Sequence, residues 1–279
     1  MARKPRVHLS GAFYHVMSRG NQGQRIFKDD RDRERYLDLL RESQKRFGHR
    51  LYAYVLMGSH VHHLIEIDRT PLSKVMQNIL FRYTRYWNRR YKKTGHLFQG
   101  RYKAILCEKE SYLLELIRHL HLNPVRSKIV NDPGDYAWSS HGAYLKGEDK
   151  TWISVDEVLP RWGKGRAQAV AGYRGFVLEG LTEGHRDDLY KVIDQRYLGD
   201  DAFVERVEER EPEREERQIV EIGWAEIKER VCQQFVLPES AVLHRGRARE
   251  MVRVRRVMAW VGRELGGFTN QALAKQLQQ

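Results

Sequence analysis

Hydrophobic and polar positions divide roughly the first 125 residues into short apolar segments and longer amphipathic ones. Four short segments bounded by turn residues predict strands, and they cover Gly11–Arg19, Arg50–Met57, His60–Ile67 and Ala104–Glu108. Three segments with one apolar helical face predict helices, and they cover Asp30–Arg46, Pro71–Lys93 and Ser111–Leu122. The order β-α-β-β-α-β-α predicts an α+β fold of the ferredoxin-like, split βαβ type.

Turn and cap residues set the expected ends of these elements. Gly58 and Ser59 predict a tight turn between the second and third strands. Thr70 is the expected N-cap of the second helix, with Pro71 at its first position, where a missing N–H is tolerated. Pro124 is expected to stop the third helix, because proline cannot donate the helical hydrogen bond.

The rest of the chain has a helical pattern, so the whole sequence predicts three parts. Residues 1–150 form the α+β domain, residues 151–222 a helical connector, and residues 223–279 a helical C-terminal region. The connector contains Asp201–Arg217, with eight acidic residues against four arginines, which is typical of a solvated helix or tether.

Composition narrows the class of protein. The formal net charge is +13 and the pI is near 9.7, values that attract polyanions such as nucleic acid or an anionic membrane surface. No apolar run approaches the roughly 18 residues that a membrane span needs. Cys107 and Cys232, the only cysteines, lack metal-ligand spacing, which predicts a reducing cytoplasm and no disulfide framework.

Three of the chain's 12 histidines lie in the predicted strand "MGSHVHHLIEI". Because strand residues i and i+2 share a face, His60 and His62 project together, and two such imidazoles can converge on one metal ion. His63 lies with valine and isoleucines on the opposite face, where a structural role is expected. An isolated His-x-His pattern is more often an ordinary pair of polar residues than a metal site.

A basic segment follows the histidines. Between Pro71 and Lys103 there are nine lysines or arginines and no acidic residue. The cations alternate with aromatic residues. Part of these aromatic residues share one helical stripe and are expected in the core, namely Tyr83, Trp87 and Tyr91. Cations contact phosphates and exposed rings stack on unpaired bases. The candidate DNA-binding residues are Arg82, Arg85, Arg89, Arg90, Lys92, Lys93, Arg101 and Lys103.

Five ordered motifs, "YHVMSRGNQGQRIF", "MGSHVHHLIEI", "GHLFQGRYKAIL", "YLLELIRHLHLNPVRS" and "DYAWSSHGAY", resemble those of REP-associated tyrosine transposases. These belong to the HUH class of single-strand nucleases, named for His-hydrophobic-His. The resemblance covers roughly residues 5–150 and implies a ferredoxin-like nuclease domain acting on single-stranded or hairpin DNA. It also implies Mg²⁺ or Mn²⁺ at the scissile phosphate and a tyrosine nucleophile.

Carried over by position, the resemblance assigns His60, His62 and Asn123 as metal ligands. The chain departs from the family at the nucleophile, because the residue four positions before that asparagine is His119 and not tyrosine. Ser59 also replaces the family's asparagine before the first histidine. Tyr112 is an alternative nucleophile on the same helical face, but it lies about 10.5 Å further along the axis. Three hypotheses for His119 remain open. It is the nucleophile, it is a base, or it marks a chain that binds DNA without cutting it.

The C-terminal region resembles the DNA-binding domain of the chromosomal replication initiator. Its helix Ala248–Leu265 has a predicted core face of Val252, Val257, Trp260 and Val261, with Arg253, Arg255 and Arg256 outward. "TNQALAKQL" reads as the first helix of a helix-turn-helix with Thr269 as N-cap, and no recognition helix follows.

Three functions therefore compete. The first is a metal-dependent single-strand endonuclease and strand transferase of the transposase type. The second is a relative that binds folded single strands and has lost cleavage through His119. The third, a double-strand regulator acting through the C-terminal region, is disfavoured because the recognition helix is missing. Covalent attachment to DNA separates the first function from the second.

Overall fold

The structure, a computed structural model, describes residues 9–146, 152–182, 189, 192–210, 222–240 and 249–277. The chain divides into two compact units, Met1–Glu211 and Pro212–Gln279. Residues 152–182 and 192–210 therefore lie in the first unit. The acidic and arginine-rich segment begins in a helix, Asp201–Arg210, and its remainder through Arg217 lies outside the described residues.

The first unit is built on a five-stranded sheet. Its strands are β1 (Phe13–Arg19), β2 (Arg50–Leu56), β3 (His60–Glu66), β4 (Lys103–Cys107) and β5 (Tyr197–Leu198). The order across the sheet is β2-β3-β1-β4-β5, and the first four strands are antiparallel. This βαββαβ arrangement confirms the predicted α+β, ferredoxin-like fold. The two-residue β5 pairs in parallel with the free edge of β4.

Helices cover both faces of this sheet. They are α1 (Asp30–Phe47), α2 (Leu72–Tyr91), α3 (Lys109–Arg126), α4 (His141–Lys146), α5 (Arg166–Glu179) and α6 (Asp201–Arg210). Tyr36 of α1 packs on His63, whereas His119 of α3 packs on His15, so α1 and α3 lie on opposite faces. The side chain of Asp29 caps α1 by accepting from the Asp32 amide, and Gly48 ends it in the left-handed conformation.

Two predicted helix ends are wrong. Helix α2 begins at Leu72 after Pro71, and no side chain caps its first turn, so Thr70 is not its N-cap. Helix α3 runs through Pro124 to Arg126. A proline removes only one helical hydrogen bond, and the burial of Leu122 and Pro124 stabilises this last turn. Asn123 therefore lies inside the helix, one turn after His119.

The second unit is helical, as predicted, and contains α7 (Trp224–Gln234), α8 (Arg249–Glu264) and α9 (Asn270–Gln276). The Thr269 hydroxyl accepts from the Ala272 amide at 3.1 Å, which confirms the predicted N-cap of α9. The predicted core position of Trp260 is wrong, because its side chain is 57% exposed. Val254 and Met258, one turn apart, occupy the core, and the predicted core residues Val257 and Val261 are partly buried against it.

No helix within the described ranges is long and apolar enough to cross a membrane.

Candidate metal centre and nucleic-acid interface

Four histidine rings cluster on the α3 face of the sheet. The register pairs Arg19 with His60 and Met17 with His62, and the alternation of β1 places His15 on this same face. The ring centroids of His60 and His62 are 5.1 Å apart, and those of His15 and His62 are 5.2 Å apart. His119 enters from α3, with its centroid 6.3 Å from that of His15.

Each histidine of the HUH pair is held through its Nδ1 atom. His62 Nδ1 is hydrogen-bonded to His15 Nε2 at 3.0 Å, and His60 Nδ1 to the Ser59 hydroxyl at 3.2 Å. Within the described part of the chain, neither Nε2 atom has a hydrogen-bond partner. Ser59, which stands where the family has asparagine, thus still provides a polar contact to the first histidine.

Burial keeps this pair uncharged. Desolvation, followed by the charge of Arg19, lowers the pKa of His60. Desolvation, followed by the neighbouring histidines, lowers the pKa of His62 well below its ordinary value. Both rings are therefore neutral at neutral pH, the protonation state in which an imidazole can bind a metal.

The residues of this site fit a divalent cation. Two neutral imidazoles whose Nε2 atoms have no partner in the described part of the chain are donors that a divalent cation accepts. The Asn123 side-chain oxygen accepts from the Ser127 hydroxyl at 3.5 Å, which orients the amide. Among the described residues, no three His, Cys, Asp or Glu side chains are arranged to hold a metal.

His119 is buried and is oriented by a cation. Arg126 Nη1 donates to His119 Nδ1 at 3.1 Å, and a guanidinium has no acceptor. The Nδ1 atom must then be the acceptor, so the guanidinium engages the Nδ1 lone pair of His119.

Tyr112 does not join the cluster. It lies near the start of α3, half-buried, and makes no hydrogen bond or ring contact with the four histidines in the described part of the chain. Its seven-residue separation from His119 corresponds to about 10.5 Å along the axis. The side chain of Tyr91, another tyrosine of the basic segment, is bound to Asp32 at 2.8 Å.

The cations of the basic segment divide into two groups. Arg82 forms an ion pair with Glu42, and Arg90 forms ion pairs with Asp29 and Asp32. Both arginines therefore join α2 to α1 and its N-cap. The other six are exposed, and they are Arg85, Arg89, Lys92, Lys93, Arg101 and Lys103. Phe81 is 61% exposed beside Arg85, whereas Tyr83 and Trp87 are buried as expected.

His63 has the structural role expected from its strand position. It lies on the opposite face of β3, stacked on Tyr36 with ring centroids 5.7 Å apart and hydrogen-bonded to the tyrosine hydroxyl at 3.3 Å. Desolvation lowers its pKa to about 3, so it is a neutral core residue.

Sequence reasoning missed two residues of the site, His15 and Arg126. The alternation of β1 predicts the face of His15, but only the pairing of β1 with β3 brings it to His62. Arg126 was hidden by the prediction that α3 stops at Pro124, since a stopped helix would not align it with His119.

Comparison with known proteins shows a similarity over part of the chain. Residues 8–119 match the model of the IS200-like transposase family. A solved REP-associated tyrosine transposase bound to a REP hairpin shares 12% identity over 52% of this chain and 86% of its own, with a TM-score of 0.45. A protein from Deinococcus radiodurans R1 assigned as a transposase shares 16% identity over 43% of this chain and 98% of its own, with a TM-score of 0.31. No curated protein sequence matches.

Proposed function

We propose, from the match of residues 8–119 to the IS200-like transposase family, that the protein binds hairpin-forming single-stranded DNA and cleaves and transfers it with Mg²⁺ or Mn²⁺. The observation that carries the proposal is the paired arrangement of His60 and His62. Their Nδ1 atoms are engaged by Ser59 and His15, and their Nε2 atoms remain available for a cation.

The chemistry divides between a bound cation and the side chains. A divalent cation supplies Lewis-acid polarisation of a scissile phosphate and offsets charge in the transition state. His60 and His62 would hold it, with Asn123 as a third donor. His119, at the position of the family's tyrosine, would act as the nucleophile or as a base.

The exposed cations provide the surface for the DNA backbone. The six exposed positive side chains of the basic segment attract phosphates over a distance of about 10 Å at moderate salt. Exposed Phe81 offers a face on which an unpaired base can stack, next to the Arg85 guanidinium. Arg82 and Arg90 are engaged in ion pairs and would contribute less to binding.

The contact between Arg126 and His119 favours a second candidate function, which is recognition of folded DNA without covalent cleavage. The guanidinium engages the lone pair of His119 Nδ1, which is then not available to attack phosphorus. In this candidate the cation site and the basic surface persist, while the step that needs a hydroxyl nucleophile is absent.

The proposal also concerns the cellular compartment of the protein and the role of its second unit. The proposed compartment is the reducing cytoplasm, in which the thiols of Cys107 and Cys232 would remain unpaired. The matched family model ends at residue 119, so the resemblance of the second unit to a replication-initiator domain stays a prediction.

A covalent-adduct assay separates the two candidates. A hairpin oligonucleotide labelled at both ends is incubated with Mn²⁺ and the full chain, and the products are run on a denaturing gel beside those of the His119→Tyr variant. A protein-linked band from the unmodified chain supports strand transfer, and the linked peptide identifies the nucleophile. A band only from His119→Tyr supports the binding candidate, because the site then lacks nothing but the hydroxyl.

Absence of a band from both proteins, with the hairpin still bound, would count against a cation site at His60 and His62. A variant of Tyr112, Tyr112→Phe, is the matched control. Loss of the band in this variant alone would move the nucleophile to Tyr112.

A further inference from the structure

His15 is the third imidazole of the cluster, and the proposed function gives it no role. Its side chain is 1% exposed and lies on β1, diagonal to His62 on β3. Its Nε2 atom is 3.0 Å from His62 Nδ1, and the two rings stack with an interplanar angle of 29°. Two strands of the sheet core therefore fix the relative position of these rings.

We propose that His15 is a positioning residue that accepts the Nδ1 proton of His62 and thereby leaves the Nε2 lone pair of His62 available to a divalent cation. This inference rests on the proposed function only for the identity of the ligand that His62 receives. A neutral imidazole has one proton, so a ring that donates through Nδ1 must present an unprotonated Nε2. A hydrogen bond from the other ring nitrogen commonly sets the tautomer and orientation of a metal-bound histidine.

The second nitrogen of His15 supports this role. Its Nδ1 atom is buried and has no hydrogen-bond partner among the described residues. An unsatisfied buried polar atom is costly, and a leucine at this position would avoid that cost. The ring is thus poorly explained as core packing, whereas its contact to His62 gives it a function.

Histidine tautomers in the metal-free protein test the inference directly. The full chain is labelled with ¹⁵N-histidine, long-range ¹H–¹⁵N correlations are recorded at neutral pH, and His62 is assigned from the spectrum of His62→Gln. We expect His62 with Nδ1 protonated and Nε2 bare. In His15→Leu we expect His62 to change to the Nε2-protonated form, and in His15→Gln the amide oxygen restores the original tautomer.

Cation binding is the second readout. Titration of Mn²⁺ followed by electron paramagnetic resonance gives the affinity of each variant without any cleavage. We expect His15→Leu to bind Mn²⁺ about 10- to 100-fold more weakly than the unmodified chain, the usual cost of losing such a supporting contact. His49→Leu is the matched control, because His49 is also buried and has no hydrogen-bond partner for either ring nitrogen in the described residues.

The outcomes separate this inference from the proposed function. An Nε2-protonated His62 in the unmodified chain, or a tautomer that does not respond to His15→Leu in a protein with an unchanged circular dichroism spectrum, overturns the role of His15. The expected tautomers together with no Mn²⁺ binding by the unmodified chain support the role of His15 and overturn the cation part of the proposed function.

Discussion

Arg126 and His119 are joined by a 3.1 Å hydrogen bond between two positions seven residues apart on α3. The guanidinium holds Nδ1 of the imidazole as an acceptor, at the position where the resembled family has its tyrosine. The helix continues through Pro124 and so aligns the two side chains on one face. The residue that departs from the resembled family is therefore buried and hydrogen-bonded.

Changing both His60 and His62 to alanine should abolish any DNA cleavage and leave hairpin binding largely intact. The pair would hold the cation, whereas the phosphate backbone contacts the exposed cations of the basic segment. Cleavage on denaturing gels and binding by fluorescence anisotropy measure the two effects. Replacement of His49 by alanine is the control outside the cluster. Equal loss of binding in the double variant would contradict the metal role and indicate that β3 no longer folds.

Exposed and ion-paired arginines of α2 should differ in their effect on DNA affinity. Arg89→Ala should weaken hairpin binding and reduce the slope of log K against log salt by about 1, since one phosphate contact is lost. Arg82→Ala should change this slope little, because Arg82 forms an ion pair with Glu42. Anisotropy titrations at several salt concentrations measure both slopes. Equal slopes for the two variants would place the DNA elsewhere on the protein.

Asp32→Ala should lower the free energy of unfolding by roughly 3 kcal/mol, the usual cost of breaking a buried ion pair. The carboxylate is fully buried, forms an ion pair with Arg90 and accepts from the hydroxyls of Tyr86 and Tyr91. It thus joins the first turn of α1 to the end of α2. Urea denaturation gives the difference, with Asp38→Ala as the surface control, since Asp38 pairs only with Arg41 on the exposed side of α1.

The stability of the first unit should fall as the pH decreases below about 6.5. Burial lowers the pKa of His49 to about 4, so the folded state binds fewer protons than the unfolded chain in this window. Its contribution is present above the unfolded pKa and is lost as the pH falls toward the folded one. His49→Leu should therefore flatten the decline by about 2 kcal/mol between neutral pH and about pH 5.

Urea denaturation of both proteins at a series of pH values checks this. His96→Leu is the control, because His96 is exposed. A decline of the same steepness in His49→Leu would assign the acid sensitivity to other buried histidines, such as His141, whose pKa burial lowers to about 4.

Sequence periodicity predicted the order of strands and helices in the first unit and the faces of β3. These features depend on local alternation, which is why His60 and His62 were placed together and His63 with the core. Helix ends were predicted less well, because the burial of Leu122 and Pro124 outweighs the single hydrogen bond that a proline removes. The core stripe of α8 was predicted in part, since Val257 and Val261 pack against the core, whereas Trp260 is exposed and Val254 and Met258 are the buried residues.

The sequence by itself determined the ferredoxin-like order, the basic segment, the HUH pair and the histidine at the position of the family's tyrosine. Only the tertiary structure decided which groups engage these residues. The hydrogen bond between His15 and His62, the hydrogen bond from Arg126 to His119 and the ion pair of Arg90 with Asp32 depend on strand register and helix packing. Such contacts join residues that are distant in sequence or separated by a predicted helix end, and local patterns carry no information about them.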